Sequence, residues 1–261
     1  MLSVLVFLTQ KEDGSDRAIA LVPEILRLWG SMRRAPLREW SDAESWFWDT
    51  AVRNSSSLRV AMARAFRIEC HVSLGYDVGI SLVDVARFFD SMQLLRVFRE
   101  ALGRVFPVRI VLLAFAAYLS PWHLRWDGWL SHPIHPGQSI LAGETSRALM
   151  AKACLFDVLN WFHFQYAFLQ CTQWNDDLVI YAVSTAAFLL AELLPALVRL
   201  ASQIEGIGLK VASKSGSVSS TSRLTRDFQT ETLRLGLEMK AMDAAADLGI
   251  DQTCTRQAKR P

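Results

Sequence analysis

An α+β fold follows from three features of the sequence. Short, β-rich apolar runs recur at irregular intervals: residues 4–8, residues 80–85, and two within residues 164–181. Longer stretches with helical periodicity lie between them, and no internal repeat imposes a regular alternation. The composition is that of a folded chain, with 51% hydrophobic and 21% charged residues, and 261 residues suffice for one large domain or two small ones.

The elements follow in order. Residues 4–8 (VLVFL) form a strand, KEDGSDR supplies a polar turn around Gly14, and residues 18–21 return as the second strand of a hairpin. Pro23 opens a helix, PEILRLWGSMRR, because its fixed φ suits a first turn. Ile25, Leu26, Leu28 and Trp29 are its expected packed face. Further helices are predicted over residues 43–52 and 56–70, and in the second Arg59, Arg64 and Arg67 read as a solvated face. Gly75 to Gly79 break the pattern, and ISLVDV (80–85) is a strand of buried type. Helices resume over 91–102 and 107–119. PWHLRWDGWLSHPIHPGQ is irregular, with a short hairpin at Asp127-Gly128, and His132 and His135 beside prolines read as loop residues rather than ligands. A helix over 144–162 precedes two strands folded back at WNDD, and a long apolar helix covers 184–204. GIGLKVASKSGSVSSTS reads as a strand and a Ser/Gly loop. ADLGID (246–251) is the last clear feature, before a frayed end.

Several classes are disfavoured. A net charge of +2 provides no global basic field, so a nucleic-acid site has to be a local basic face. The four cysteines, Cys70, Cys154, Cys171 and Cys254, are dispersed without a CxxC or Cys/His cluster. That argues against a disulfide framework and a structural zinc, and for reduced thiols in an intracellular protein. MLSVLVFLTQ lacks the basic start and cleavage site of a signal peptide. The run over residues 178–198 approaches bilayer-spanning length. It carries Glu192 and Pro195 and begins beside two aspartates, so it reads as a strand plus a core helix, and no membrane is expected. A small helical membrane protein built on this run and residues 108–119 is the alternative.

The chemistry concentrates in carboxylates. Asp176 and Asp177 adjoin each other in WNDDL between apolar runs, where mutual repulsion and desolvation demand either solvent or a bound cation. Asp84 lies among apolar neighbours in SLVDVARFFDSM, where an unpaired carboxylate is costly. Asp90, six residues on, is explained as a helix N-terminal acid. If the Asp84 strand lies beside the WNDD hairpin, three carboxylates converge at one end of a sheet. Such hard oxygen donors suit Mg²⁺, and paired ions of this kind run phosphoryl or nucleotidyl transfer.

Asp84 with Phe89-Asp90, then WNDD, resembles the palm of a reverse transcriptase, non-LTR retrotransposon enzymes being the likeness in mind. D-x-x-x-x-F-D is matched by residues 84–90 and aromatic-x-D-D by residues 174–177. In place of the family's G-[IL]-x-x-G turn, SILAGETSRALMAK has Ile140 and Gly143, with Ser139 standing for the first glycine. Gly208-Leu209 with Lys214 resembles the G-L-x-x-x-x-K block, and ADLGID the short strand that grips the primer. Upstream, Lys11, Arg17 and Ile19 match the fingers pattern I-P-K…R-P-I, with Gln10 and Ala18 in place of the prolines.

The resemblance spans residue 4 to about residue 251. It implies a right-hand polymerase with a small antiparallel palm sheet packed on helices: a fingers-like region over 1–79, a palm-like catalytic region over 80–251 with fingers elements interleaved, and a frayed end over 252–261. Asp84, Asp176 and Asp177 would be the catalytic metal ligands, holding two Mg²⁺ or Mn²⁺ ions. Lys11 and Arg17 would clamp the triphosphate, and Phe89 would close the sugar pocket against a 2′-hydroxyl. Gly143 would let the backbone approach the template, and Lys214 would stand near the leaving pyrophosphate. The implied partners are an RNA template, a DNA primer and deoxynucleoside triphosphates. The pattern stops before a thumb, which fits a truncated or degenerate element copy. A catalytically silent, polymerase-like remnant that binds RNA or a protein is the second reading.

Overall fold

The computed structural model describes residues 3–10, 16–141, 144–242, 245–247 and 250–252. Side chains are described within these except at residue 10, residues 16–18 and from 245 onward. The architecture is mixed α+β, and the chain divides into two compact units, each built from two segments. One comprises residues 1–44 with 87–156, the other residues 45–86 with 157–261. Residue 79, the boundary expected from the sequence, lies inside the first segment of the second of these units.

In the first unit, β1 (Val4–Gln10) pairs antiparallel with β2 (Asp16–Leu21), confirming the opening hairpin. On its other side β1 pairs parallel with β4 (Trp122–Trp126), which turns back into β5 (Trp129–Leu130). The two-residue turn needs positive φ at both positions, and Asp127 (44°) and Gly128 (83°) supply it. Helices α1 (Glu24–Met32) and α2 (Arg34–Ala43) follow the hairpin. The expected packed face of α1 is observed only in part: Leu26 and Trp29 are half-buried, Ile25 and Leu28 are exposed, and Gly30 is the fully buried residue. A Cβ at Gly30 would lie 2.7 Å from the Thr145 hydroxyl, so this helix packs through its smallest side chain. The unit continues through α4 (Phe88–Ser91), α5 (Leu94–Gly103), α6 (Val108–Tyr118) and the start of α7 (Arg147–Gln165). Trp40 anchors it, donating its indole N–H to the Arg104 carbonyl at 2.8 Å and tilting onto Phe106.

The second unit is a five-stranded sheet in the order β6-β7-β3-β8-β9 with helices on both faces. Its strands are β3 (Asp77–Asp84), β6 (Gln170–Trp174), β7 (Asp177–Ser184), β8 (Gly216–Ser219) and β9 (Lys240–Ala241). A two-stranded ribbon, β10 (Ala245–Asp247) with β11 (Ile250–Gln252), overlaps the ADLGID stretch, of which Leu248 and Gly249 lie outside the described residues. Helix α3 (Ser57–Ser73), capped where the Ser56 hydroxyl accepts from the Arg59 amide, lays Ile68 on Val78, Ile80, Tyr181, Val179 and Val218. Its Arg64 is not part of a solvated face. It is buried and donates to the Thr172 hydroxyl of β6 at 2.7 Å, which takes its charge out of solvent into a polar contact at the sheet.

The opposite face of β3 meets a long helical stretch, Ala186–Gly206, made of α8 (Ala186–Phe188), a π-helical turn (Leu189–Leu193) and α9 (Leu194–Gly206). By length and composition this stretch could cross a bilayer, but Leu189, Leu193, Leu194, Leu197, Leu200 and Ile204 are buried inside the protein. A Cβ at Gly79 would sit 3.1 Å from Leu193 and 3.2 Å from Phe228 of α10 (Ser222–Arg234), so the missing side chain sets how closely these helices approach.

Three sequence expectations are corrected here. Residues 45–52 are not helical. The backbone of 48–50 pairs with Gln173 of β6, with Gln173 N–H donating to the Trp48 carbonyl at 2.7 Å and Thr50 N–H to the Gln173 carbonyl at 2.9 Å. Trp48 is fully buried and its indole N–H donates to Asn160. The Ser/Gly stretch holds a completely buried strand, β8, whose hydroxyls find internal partners: Ser217 with Ser81 at 3.0 Å and Ser219 with Thr225 at 2.8 Å. Helix α10, absent from the sequence reading, packs beside it.

Gly79→Val should destabilise the protein by about 1–3 kcal/mol, the usual cost of overfilling a packed contact, measured as a lower urea midpoint. In the first unit, Ser139 stands at φ 93°, outside the regions an L side chain favours. Ser139→Gly should therefore raise stability by about 1 kcal/mol, even though the Ser139 hydroxyl loses its 3.3 Å bond to Asp90.

Candidate active site

Strands β3 and β7 run antiparallel with an unbroken register from Asp77↔Ser184 to Asp84↔Asp177. Side chains of directly opposed residues share a face, so Asp84 and Asp177 stand side by side at the end of the ladder. Asp176 lies in the two-residue turn that joins β6 to β7, where Asn175 takes the left-handed conformation (φ 55°) that asparagine tolerates. Gln173 secures the turn, its side-chain amide donating to the Asn175 carbonyl at 2.6 Å. The backbone thus brings Asp84, Asp176 and Asp177 to one end of the β3–β7 ladder, within one unit.

The segment after α9 clamps the end of β3. Ala86 N–H donates to the Lys210 carbonyl at 2.7 Å, and Ala212 N–H to the Asp84 carbonyl at 2.8 Å. Asp84 N–H donates to the Ser215 hydroxyl at 3.0 Å. Gly208 supplies positive φ (82°) at the turn, and Leu209 is buried. This path carries Lys214 back over the strand end, where its ammonium lies 3.0 Å from Asp84 Oδ1. Ser215 was not singled out from the sequence; only its setting in a Ser/Gly run marked it.

Burial is the largest influence on Asp84 and pushes its carboxyl above the ordinary range. The Lys214 hydrogen bond and charge oppose that shift, and the Asp176 charge adds to it. The exposed ammonium thus offsets only part of the desolvation. Among the described residues, no three carboxylate, imidazole or thiol groups are gathered closely enough to hold a metal ion as the side chains stand. The donors at this strand end are carboxylate oxygens, whose chemistry fits Mg²⁺ or Mn²⁺ rather than a soft metal. Burial pushes the Cys154 and Cys171 thiols up to about 12, which leaves them protonated.

The remaining sequence candidates lie in the first unit. Phe89 is in α4, half-buried, with the Arg147 guanidinium over its ring at 4.8 Å. Ser139 N–H donates to the Met92 carbonyl and Ile140 N–H to the Phe89 carbonyl, so the glycine-turn segment pairs with the α4 region. The positive φ of Ser139 is the conformation that a glycine there would adopt freely. Arg17 is opposite Thr9 in the hairpin register, and its side chain is not described. Lys11 and Gly143 lie outside the described residues. His132 and His135 are exposed loop residues.

No family model matches the chain, and no curated protein matches it. Solved structures do. Apo telomerase from Candida tropicalis, truncated from its C-terminal domain, superposes with a TM-score of 0.65 at 11% identity, covering 97% of this chain and 53% of that one. Apo telomerase from the same organism gives 0.67 at 9% identity, covering 96% and 47%. Telomerase from Candida albicans in complex with a TWJ fragment of telomeric RNA gives 0.64 at 12% identity, covering 97% and 46%. The chain spans about half the length of these telomerases, and the likeness shows a shared mixed α+β fold.

Because Asp84 has its folded-state value above the unfolded one, its ionisation costs the fold stability as pH rises through the folded value. Asp84→Asn, measured in chelator, should raise Tm at neutral pH. The gain should fade as pH falls and vanish below 3.8, the ordinary value, where the carboxyl is protonated in both states. A gain independent of pH would rule out this electrostatic cost.

Proposed function

We propose that this chain is the fingers and palm of an RNA-directed DNA polymerase, of the non-LTR retrotransposon type, that extends a DNA primer on an RNA template. The observation that carries the reading is the Asp84↔Asp177 register at the end of β3 and β7, with Asp176 on the adjoining turn, in a telomerase-like fold. The acids fall in the order and spacing of the reverse-transcriptase palm motifs, and Lys214 arrives beside Asp84 from the matching downstream block.

Asp84 and Asp176 would hold two Mg²⁺ or Mn²⁺ ions, with Asp177 as the weaker ligand. When bound, such ions activate the primer 3′-hydroxyl and stabilise charge developing on the α-phosphate. The chain's own residues position and neutralise. The rigid ladder fixes the acids, Lys214 supplies a cation for the leaving pyrophosphate, and Lys11 and Arg17 contact the triphosphate. Phe89, its ring held by Arg147, closes the sugar pocket so that a 2′-hydroxyl clashes. The template is read by base pairing. An intracellular setting goes with this reading, as do the protonated thiols of Cys154 and Cys171.

The 3.0 Å ion pair of Lys214 with Asp84 favours one second reading, a silent polymerase-like protein that binds RNA or a protein partner. There the ammonium would replace the metal as the permanent counter-ion of the acid.

Primer extension on an RNA template with Mg²⁺ or Mn²⁺ separates the two. Extension should be present and should fall by about 10²–10³-fold in Asp176→Ala, the scale of losing charge stabilisation in a transition state. Mg²⁺ should also raise Tm in the parent chain and not in that variant. A folded chain that neither extends a primer nor responds to the ion would leave the silent reading.

A further inference from the structure

Helix α3 has two faces with opposite characters. Ala61, Arg64 and Ile68 are buried against their own unit. On the other side Leu58, Met62 and Phe66 are 57%, 58% and 69% exposed. Their four-residue spacing places them in one row along the helix. Single exposed apolar residues are ordinary, but a row of three ending in phenylalanine is a ridge of the kind that packs into the groove of another helix.

Beside this ridge runs a second row, Arg59, Ala63 and Arg67, all exposed. Among the described residues no carboxylate pairs with either arginine. Arg59 makes one long contact, 3.5 Å to the Asn54 carbonyl. Ala63 leaves a dip between the two arginines, whose backbone positions are about two turns apart, ~12 Å along the axis. Glu69 lies on the far side of the apolar ridge, away from the arginine row.

We infer that this face docks an amphipathic, acidic helix of a partner protein. The apolar row of that helix would bury Leu58, Met62 and Phe66, and two carboxylates spaced seven or eight residues apart would meet Arg59 and Arg67. Charge complementarity selects this occupant. A nucleic acid would engage the arginines but leave the apolar ridge in water. A second copy of this chain, packed antiparallel across the face, would set each arginine row against itself. The inference does not depend on the polymerase reading, and its test reads no incorporation.

The test is selection from a display library of helical peptides that carry a fixed apolar ridge, with each flanking position randomised between Glu and Lys. The intact chain should enrich Glu over Lys about tenfold or more at two positions seven or eight residues apart. Arg59→Glu with Arg67→Glu should invert the preference to Lys, a gain that unfolding could not produce. Met62→Ser with Phe66→Ser should abolish capture while circular dichroism remains unchanged. Equal recovery of Glu and Lys, or the same selection by the charge-reversed variant, would overturn the inference. So would binding confined to a single-stranded oligonucleotide or to anionic vesicles, or self-association that Phe66→Ser removes.

Discussion

The antiparallel register of β3 against β7 is the constraint on which the candidate site rests. Side chains alternate with a period of two, so a slip of one residue would move Asp84 to the opposite face from Asp177. The register is held from several directions. Val78, Ile80 and Leu82 must face α3, while Gly79 must face Leu193 and Phe228 because no larger side chain fits there. The hydroxyl of Ser81 must meet that of Ser217 on β8. None of these contacts touches a carboxylate, yet together they determine where the carboxylates stand. Two like charges at the end of a strand pair oppose folding; apolar packing further along the ladder stabilises the arrangement against them.

Much of this was legible in the sequence because the signals were local. The hairpin at residues 4–21, the Asp127-Gly128 turn, the helix beginning near Ser56 and the buried strand before Asp84 each follow from a few neighbouring residues. The three acids were legible as candidates for the same reason: carboxylates among apolar residues are conspicuous wherever they fold. The reach of Lys214 to Asp84 could be anticipated only through the reverse-transcriptase pattern, since about 130 residues separate them along the chain.

What stayed illegible depends on partners distant in sequence. GSVS looks like a loop because serine and glycine are poor strand formers. It is a strand because Ser81, Thr225 and Asp77 satisfy the hydroxyls of Ser217, Ser219 and Ser220. Arg64 belongs by composition to a solvated row, and its burial involves a partner far away in sequence, the Thr172 hydroxyl. Residues 45–52 have helical character by themselves, but the backbone demand of Gln173 draws them into pairing with β6. The apolar periodicity of α1 predicted a packed face of four side chains, whereas its closest contact is made through Gly30. In each case tertiary pairing outweighed local propensity.

The pairing of residues 48–50 with Gln173 has a consequence beyond geometry. β6 is the outermost strand of its sheet, and an unpaired strand edge offers backbone donors and acceptors to any other polypeptide. Here that edge begins next to the turn that carries Asp176. By lending its own backbone, the segment anchored by Trp48 blocks a template for intermolecular strand addition at the point where it would do most harm. A chain in which this segment came loose could therefore begin to aggregate through the same hairpin that carries its candidate chemistry.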